Sequence, residues 1–107
     1  MTFAQYEAQA AKTANTTLTK NERLLDSAAG LAEEAGEILS LVRKHAFQSK
    51  ELEHDRIGEE LGDALWCLAM TARHAGTSLE SVAQANIAKL RARYPDGYQD
   101  RATGEPK

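Results

Sequence analysis

The sequence predicts an all-α fold, and three observations carry that prediction. The only prolines are Pro95 and Pro106, so nothing before residue 95 forces a helix to break. Strand-like alternation of apolar and polar residues is absent. A helical segment is also written twice. Glu33-Glu34-Ala35-Gly36-Glu37 returns 26 positions later as Glu59-Glu60-Leu61-Gly62-Asp63, and Leu31, Leu39 and Val42 return as Ile57, Leu65 and Leu68.

Four helices follow from capping signals and periodicity. The first is expected over residues 2–14, with Phe3, Tyr6 and Ala10 inward, and the polar stretch Asn15 to Thr19 reads as a loop. The second is expected from Asn21, taken as N-cap, to a basic end at Lys44. Leu24, Ala28, Leu31, Ala35, Ile38 and Val42 recur along it at helical spacing. Residues 45–53 are polar and aperiodic and read as a connection anchored by Phe47. The third helix is expected over residues 55–75, stopped by Gly76 as a left-handed C′ residue. Thr77-Ser78-Leu79-Glu80 has the form of a capping box and opens a fourth helix ending near Tyr94. Pro95-Asp96-Gly97 then makes a turn. The expected organisation is one domain over residues 1–98 and a polar tail over 99–107, the simplest arrangement being a four-helix bundle completed by self-association.

Bulk properties narrow the function. The chain has 107 residues, enough for one modest core. Its net charge of −3 argues against a nucleic-acid-binding domain, which normally carries a basic patch. A nucleotide substrate is still compatible, because a metal ion can supply positive charge. The single cysteine, Cys67, has no internal disulfide partner and suits a reducing compartment. No secretory leader is expected from Met1 to Glu7, and no apolar run reaches the ~18 residues of a membrane span. These features lead to the expectation of a cytoplasmic protein with neither a nucleic-acid nor a membrane partner.

The repeated acidic pairs carry the chemistry. Glu34 and Glu37, and likewise Glu60 and Asp63, stand at i and i+3 on one helix face. At ~100° per residue, with the first acid of each pair at zero, the apolar residues Ile38, Leu31 and Val42, or Ala64, Ile57 and Leu68, fall at about 40°, 60° and 80°. The second acid falls at about 300°, with Leu41 or Cys67 between the two acids at about 340°. Both pairs border the apolar stripe, so packing the helices together brings four carboxylates to one place. Unit charges ~4 Å apart repel by about 4 kcal/mol at an effective dielectric of ~20. Such a cluster takes up protons or binds cations. An all-oxygen donor set favours Mg²⁺, with Mn²⁺ also compatible. On the fourth helix, Asn86, Lys89 and Arg93 form a stripe beside Leu79, Val82 and Leu90, suited to charge-assisted hydrogen bonds with phosphate oxygens.

The remaining candidates are weaker. Glu51-Leu52-Glu53-His54 holds one Glu-x-x-His, whereas di-iron bundles use it on two helices. His45 and His74 stand near helix ends as capping or surface groups. Cys67 reads as a small buried hydrophobe. Trp66, about 240° round the third helix, faces another helix or a second subunit.

These residues resemble the MazG-like nucleoside triphosphate pyrophosphohydrolases, whose hallmark is EExxE followed by ExxD, here Glu33-Glu34-Ala35-Gly36-Glu37 and Glu60-Leu61-Gly62-Asp63. The likeness runs from about Leu24 to Tyr98 and includes Asp63-Ala64-Leu65-Trp66 and the segment from Ala85 to Tyr98. The resemblance implies an all-α fold, a dimer or tetramer, and hydrolysis of a nucleoside triphosphate between its α- and β-phosphates. It also implies Mg²⁺ ligation by Glu34, Glu37, Glu60 and Asp63, and nucleotide contacts from Asn86 and Lys89. Arg93 is added from the helical stripe, and Glu33 is a candidate general base. Base preference does not carry over. The competing expectation is a helical interaction module, or a sensor that binds nucleotide without turnover.

Overall fold

The structure, a computed structural model, describes residues 1–97. The polar tail expected over 99–107, and Tyr98 before it, lie outside the described residues. Among those described, the chain forms four α-helices and no strand: α1 (Phe3–Ala11), α2 (Lys20–Phe47), α3 (His54–His74) and α4 (Leu79–Arg93).

Side-chain caps set three of the four starts. Thr2 opens α1 with a capping box, its hydroxyl accepting from Gln5 N at 3.1 Å while Gln5 Oε1 accepts from Thr2 N at 2.8 Å. The helix stops at Ala11, short of residue 14, where the Thr13 hydroxyl turns back to donate to Ala10 O at 2.7 Å. Asn15 Oδ1 then accepts from Thr17 N at 2.9 Å, and the Arg23 guanidinium holds the loop by donating to Leu18 O and Thr16 O. The cap of α2 is Thr19, not Asn21: Glu22, three residues on, reaches back to Thr19 N at 2.9 Å, so the reciprocal pair falls two residues earlier. At the far end α2 continues to Phe47, whose side chain is 82% exposed and anchors nothing. His45 closes this end instead, with Nδ1 2.8 Å from Lys50 O.

The stop after α3 is a Schellman motif, with Thr77 N donating to Ala72 O at 2.9 Å and Gly76 N to Arg73 O at 3.2 Å across a left-handed Gly76 at φ 85°. Thr77 is used up there, so the N-cap of α4 is Ser78, accepting from Ser81 N at 3.1 Å. The expected capping box through Glu80 does not form. A second acceptor comes from α1: Glu7 Oε1 takes the Leu79 N–H at 3.1 Å, while its other oxygen lies 3.6 Å from Arg73. The turn at the end of α4 is as expected, with Gly97 N bonded to Tyr94 O at 3.1 Å.

Packing is uneven. α2 and α3 run antiparallel, as shown by Ser27 meeting Thr71 at 3.1 Å and Glu34 meeting Glu60 and Asp63 further along. α1 and α4 lie on α3 and not on α2. Ala10, Ala69, Met70 and Leu79 form the buried core at this junction, flanked by Tyr6, Leu65 and Trp66. Trp66 packs within the chain, donating to Thr13 Oγ1 at 2.9 Å, so it is not left for a second subunit. Phe3, expected inward, is 47% exposed at the free end of α1.

The face of α2 also differs from expectation. Ser27 and Leu41 are buried and Glu34 half-buried, whereas Ala28, Ala35 and Val42 are exposed. The apolar arc of α2 is wider than one partner can cover, and α3 occupies the edge that carries Glu34.

Candidate metal centre

The pairing of α2 and α3 places Glu34 opposite Glu60 and Asp63. One carboxylate oxygen from each of these three residues lies within 4.8 Å of the others. The close approach of the helices is set nearby, where Gly30 faces Cys67. A Cβ built on Gly30 would stand 2.9 Å from Cys67 Sγ, so any larger residue there would push the helices apart. Leu41 and Cys67, equivalent in the repeat, are both buried beside the acidic pairs.

Electrostatics mark Glu34 as the strained member. Its Oε2 is buried with no hydrogen-bond partner among the described residues. Its pKa is raised to about 7, first because a protonated Glu34 can share its proton with Glu60, then by desolvation and by the charges of Glu60, Asp63 and Glu37. When ionised, the three groups are acceptors facing acceptors. A shielded oxygen without a donor, aimed among other carboxylates, is the environment a cation relieves, and an all-oxygen donor set suits a hard divalent ion. The residues therefore fit such an ion. Cys67, beside them, is a buried thiol whose pKa is pushed up by desolvation and then by the charges of Glu34, Asp63, Asp26 and Glu33, which makes it a poor nucleophile.

Residues 19–98 match the model of the MazG nucleotide pyrophosphohydrolase domain. The chain belongs to this family. No curated protein and no solved structure gives a match. The MazG match starts at the Thr19 cap, so it takes in α2, α3 and α4 and leaves out α1.

Set against the expected site of this MazG domain, three of the four metal candidates come together and Glu37 stands apart from the trio, exposed, on the next turn of α2. Glu33 is exposed beside Glu34. Asn86, Lys89 and Arg93 are exposed on α4, which does not pack on α2. A groove of about 380 Å³ lies along the C-terminal half of α2, between Gly36, Leu39, Arg43, Lys44 and Phe47, and contains none of the three carboxylates. One contributor was not singled out from the sequence. Gly30 gives no local signal, because its role depends on Cys67 of another helix.

Proposed function

We propose that the protein is a divalent-metal-dependent nucleoside triphosphate pyrophosphohydrolase, cleaving an NTP or dNTP between the α- and β-phosphates to a nucleoside monophosphate and pyrophosphate. The observation that carries this reading is the Glu34–Glu60–Asp63 cluster with its partnerless, shielded Glu34 oxygen, within a domain of the MazG family.

Glu34, Glu60 and Asp63 would hold Mg²⁺, or Mn²⁺ in its place, with Glu37 as the fourth carboxylate. Such an ion would supply charge neutralisation for the polyphosphate and acidify a nearby water. Phosphoryl transfer depends mainly on positioning and charge stabilisation. Glu33, adjacent in sequence to Glu34 and open to solvent, is the general base of this reading. Lys89 and Arg93 stabilise charge on the leaving pyrophosphate, and Asn86 donates a neutral hydrogen bond to the nucleotide.

Self-association belongs to the same reading. Val42 and Leu39 on α2 and Leu61 and Leu68 on α3 are exposed in the same angular sector of the two helices. A second copy laid on this face would complete a four-helix bundle, and light scattering at tens of micromolar should report a dimer or tetramer. The cytoplasm is the compartment in which this chemistry and a free Cys67 fit together.

The decisive experiment is pyrophosphate release from each NTP and dNTP with Mg²⁺ or Mn²⁺. Turnover is expected, and binding without turnover would instead mean a sensor. Lys89→Ala should reduce binding or turnover by roughly 10- to 100-fold while leaving metal-induced stabilisation intact. Arg91→Ala, on another side of α4, should be tolerated.

A further inference from the structure

The seam between α2 and α3 continues past the carboxylate cluster toward the bend that joins the two helices. On α2 the face that carries Glu34 and Glu37 runs on to Leu41 and Lys44. These fall at about 340° and 280°, against 0° and 300° for the two acids. On α3 the residue one turn before Glu60, on the same face, is Arg56. Because the helices are antiparallel, both faces lead the same way. A cavity of about 470 Å³ opens there, lined by Leu41, Lys44, Lys50, Glu51, Glu53 and Arg56. Its nearest walls, Leu41 and Arg56, stand one helical turn, about 5.4 Å, beyond Glu37 and Glu60.

Charge changes sign along this seam. The centre is all carboxylate, whereas the cavity holds three cations and two acids. Arg56 is engaged by Glu53 at 3.5 Å. Lys44 and Lys50 make no ion pair among the described residues, although two glutamates share their cavity. The bend that delivers Lys50 has a defined shape. His45 Nδ1 lies 2.8 Å from Lys50 O, and Ser49 just before it adopts a left-handed backbone at φ 53°, seldom found for a residue with a side chain. Ammonium groups without a carboxylate partner suit phosphate oxygens, to which they give charge-assisted hydrogen bonds. Leu41 is the one apolar wall, so the cavity suits phosphates and not a nucleobase.

We propose that this cavity is the subsite for the terminal phosphates of the substrate, with Lys44 and Lys50 as the donors that hold them. The proposal rests on the pyrophosphohydrolase reading above. It orients the nucleotide along the seam, with the leaving pyrophosphate toward the bend. Lys44 and Lys50 act in addition to Lys89 and Arg93, and unlike them they belong to the helix pair that carries the carboxylates. The bend thereby distinguishes a triphosphate from a monophosphate, which is too short to reach it.

Lys50→Ala and the double variant with Lys44→Ala test this, since both side chains are exposed and support no packing. With Mg²⁺, kcat/KM for a nucleoside triphosphate should fall about tenfold in Lys50→Ala and further in the double variant. Inorganic pyrophosphate with Mg²⁺ should bind more weakly by similar factors in a calorimetric titration, while nucleoside monophosphate binds as to the wild type. Arg43→Ala is the control, because this exposed cation of α2 lines a different groove, and it should match the wild type throughout. Unchanged kcat/KM and pyrophosphate affinity in the double variant would overturn the subsite. Equal losses for pyrophosphate and monophosphate would overturn its assignment to the terminal phosphates. A wild type that neither hydrolyses nor binds any nucleotide would remove the underlying reading and this one with it, and is distinguished from the other outcomes by needing no variant.

Discussion

α2 and α3 carry the same acidic segment, yet they occupy different surroundings, and the difference lies in the positions the repeat does not share. Several equivalent positions behave alike, although Leu39 is exposed where its match Leu65 flanks the core. Leu31 and Ile57 are half-buried, Leu41 and Cys67 buried, and Val42 and Leu68 exposed. The unshared positions decide the rest. Where α2 has Ser40, Arg43 and Lys44, α3 has Trp66, Ala69 and Met70, and this second apolar face is the one that α1 and α4 cover. A repeat therefore shows which surfaces of two helices will meet, and its divergences show which helix recruits further partners. The acidic pairs divide in the same way, with both Glu60 and Asp63 of α3 in the close cluster but only Glu34 of α2.

Four measurements would sharpen or break this comparison. The largest effect is expected on activity. Asp63→Asn should lower hydrolysis more than about 100-fold, exceeding the effect known for residues that merely support metal ligands. It should also weaken the metal-induced rise in Tm, since an ion bound only by the native state stabilises it. Glu37→Gln, at the equivalent place on α2, should lose less in both assays. Equal losses would mean that the two halves act symmetrically when the metal is bound.

Next comes stability at the second face of α3. Met70→Ala, at a side chain only 1% exposed, should cost about 2–5 kcal/mol in denaturant unfolding. Lys44→Ala, its exposed repeat equivalent, should stay within about 0.5 kcal/mol. Similar values for both would contradict the one-sided packing.

Gly30→Ala should destabilise by about 1–3 kcal/mol, because the new methyl meets Cys67 Sγ at 2.9 Å. Gly36→Ala, with open space around it, should instead stabilise by up to about 1 kcal/mol through helix propensity. A stabilised Gly30→Ala would show that the α2–α3 approach is not close at Cys67.

The smallest effect is on the pH dependence of the metal-free protein. Glu34 has a native pKa raised to about 7 from an ordinary 4.5, so the native state binds more protons than the unfolded state between those values. The favourable contribution of protonated Glu34 is fully present below pH 4.5, and it declines as pH rises, until it is lost above about 7. Glu34→Gln should flatten that slope in thermal unfolding followed by pH, and saturating Mg²⁺ should do so in the wild type. An unchanged slope in the variant would place the titrating group elsewhere.

The caps show where local sequence was informative and where it misled. Gly76 acts over neighbouring residues and ends α3 as its chemistry predicts, whereas Thr2, expected inside the first helix, caps it instead. Thr77 was misassigned because the Schellman motif and the next N-cap compete for adjacent residues, and the i to i+3 pattern alone cannot say which claims it. Glu7, the cap supplied from α1 to α4, is 72 residues from its partner and has no local signature.

The sequence by itself determined the helical class and the position of Glu34, Glu37, Glu60 and Asp63 at the border of each apolar stripe, because both follow from periodicity along single helices. The tertiary structure alone decided that α3 covers the Glu34 edge of α2, that Trp66 turns to α1, and that Glu37 stays apart from the other three carboxylates. The physical reason is that a wide apolar arc offers several packing angles of similar burial. Contacts between distant residues, such as Gly30 against Cys67 and Thr13 with Trp66, select among them.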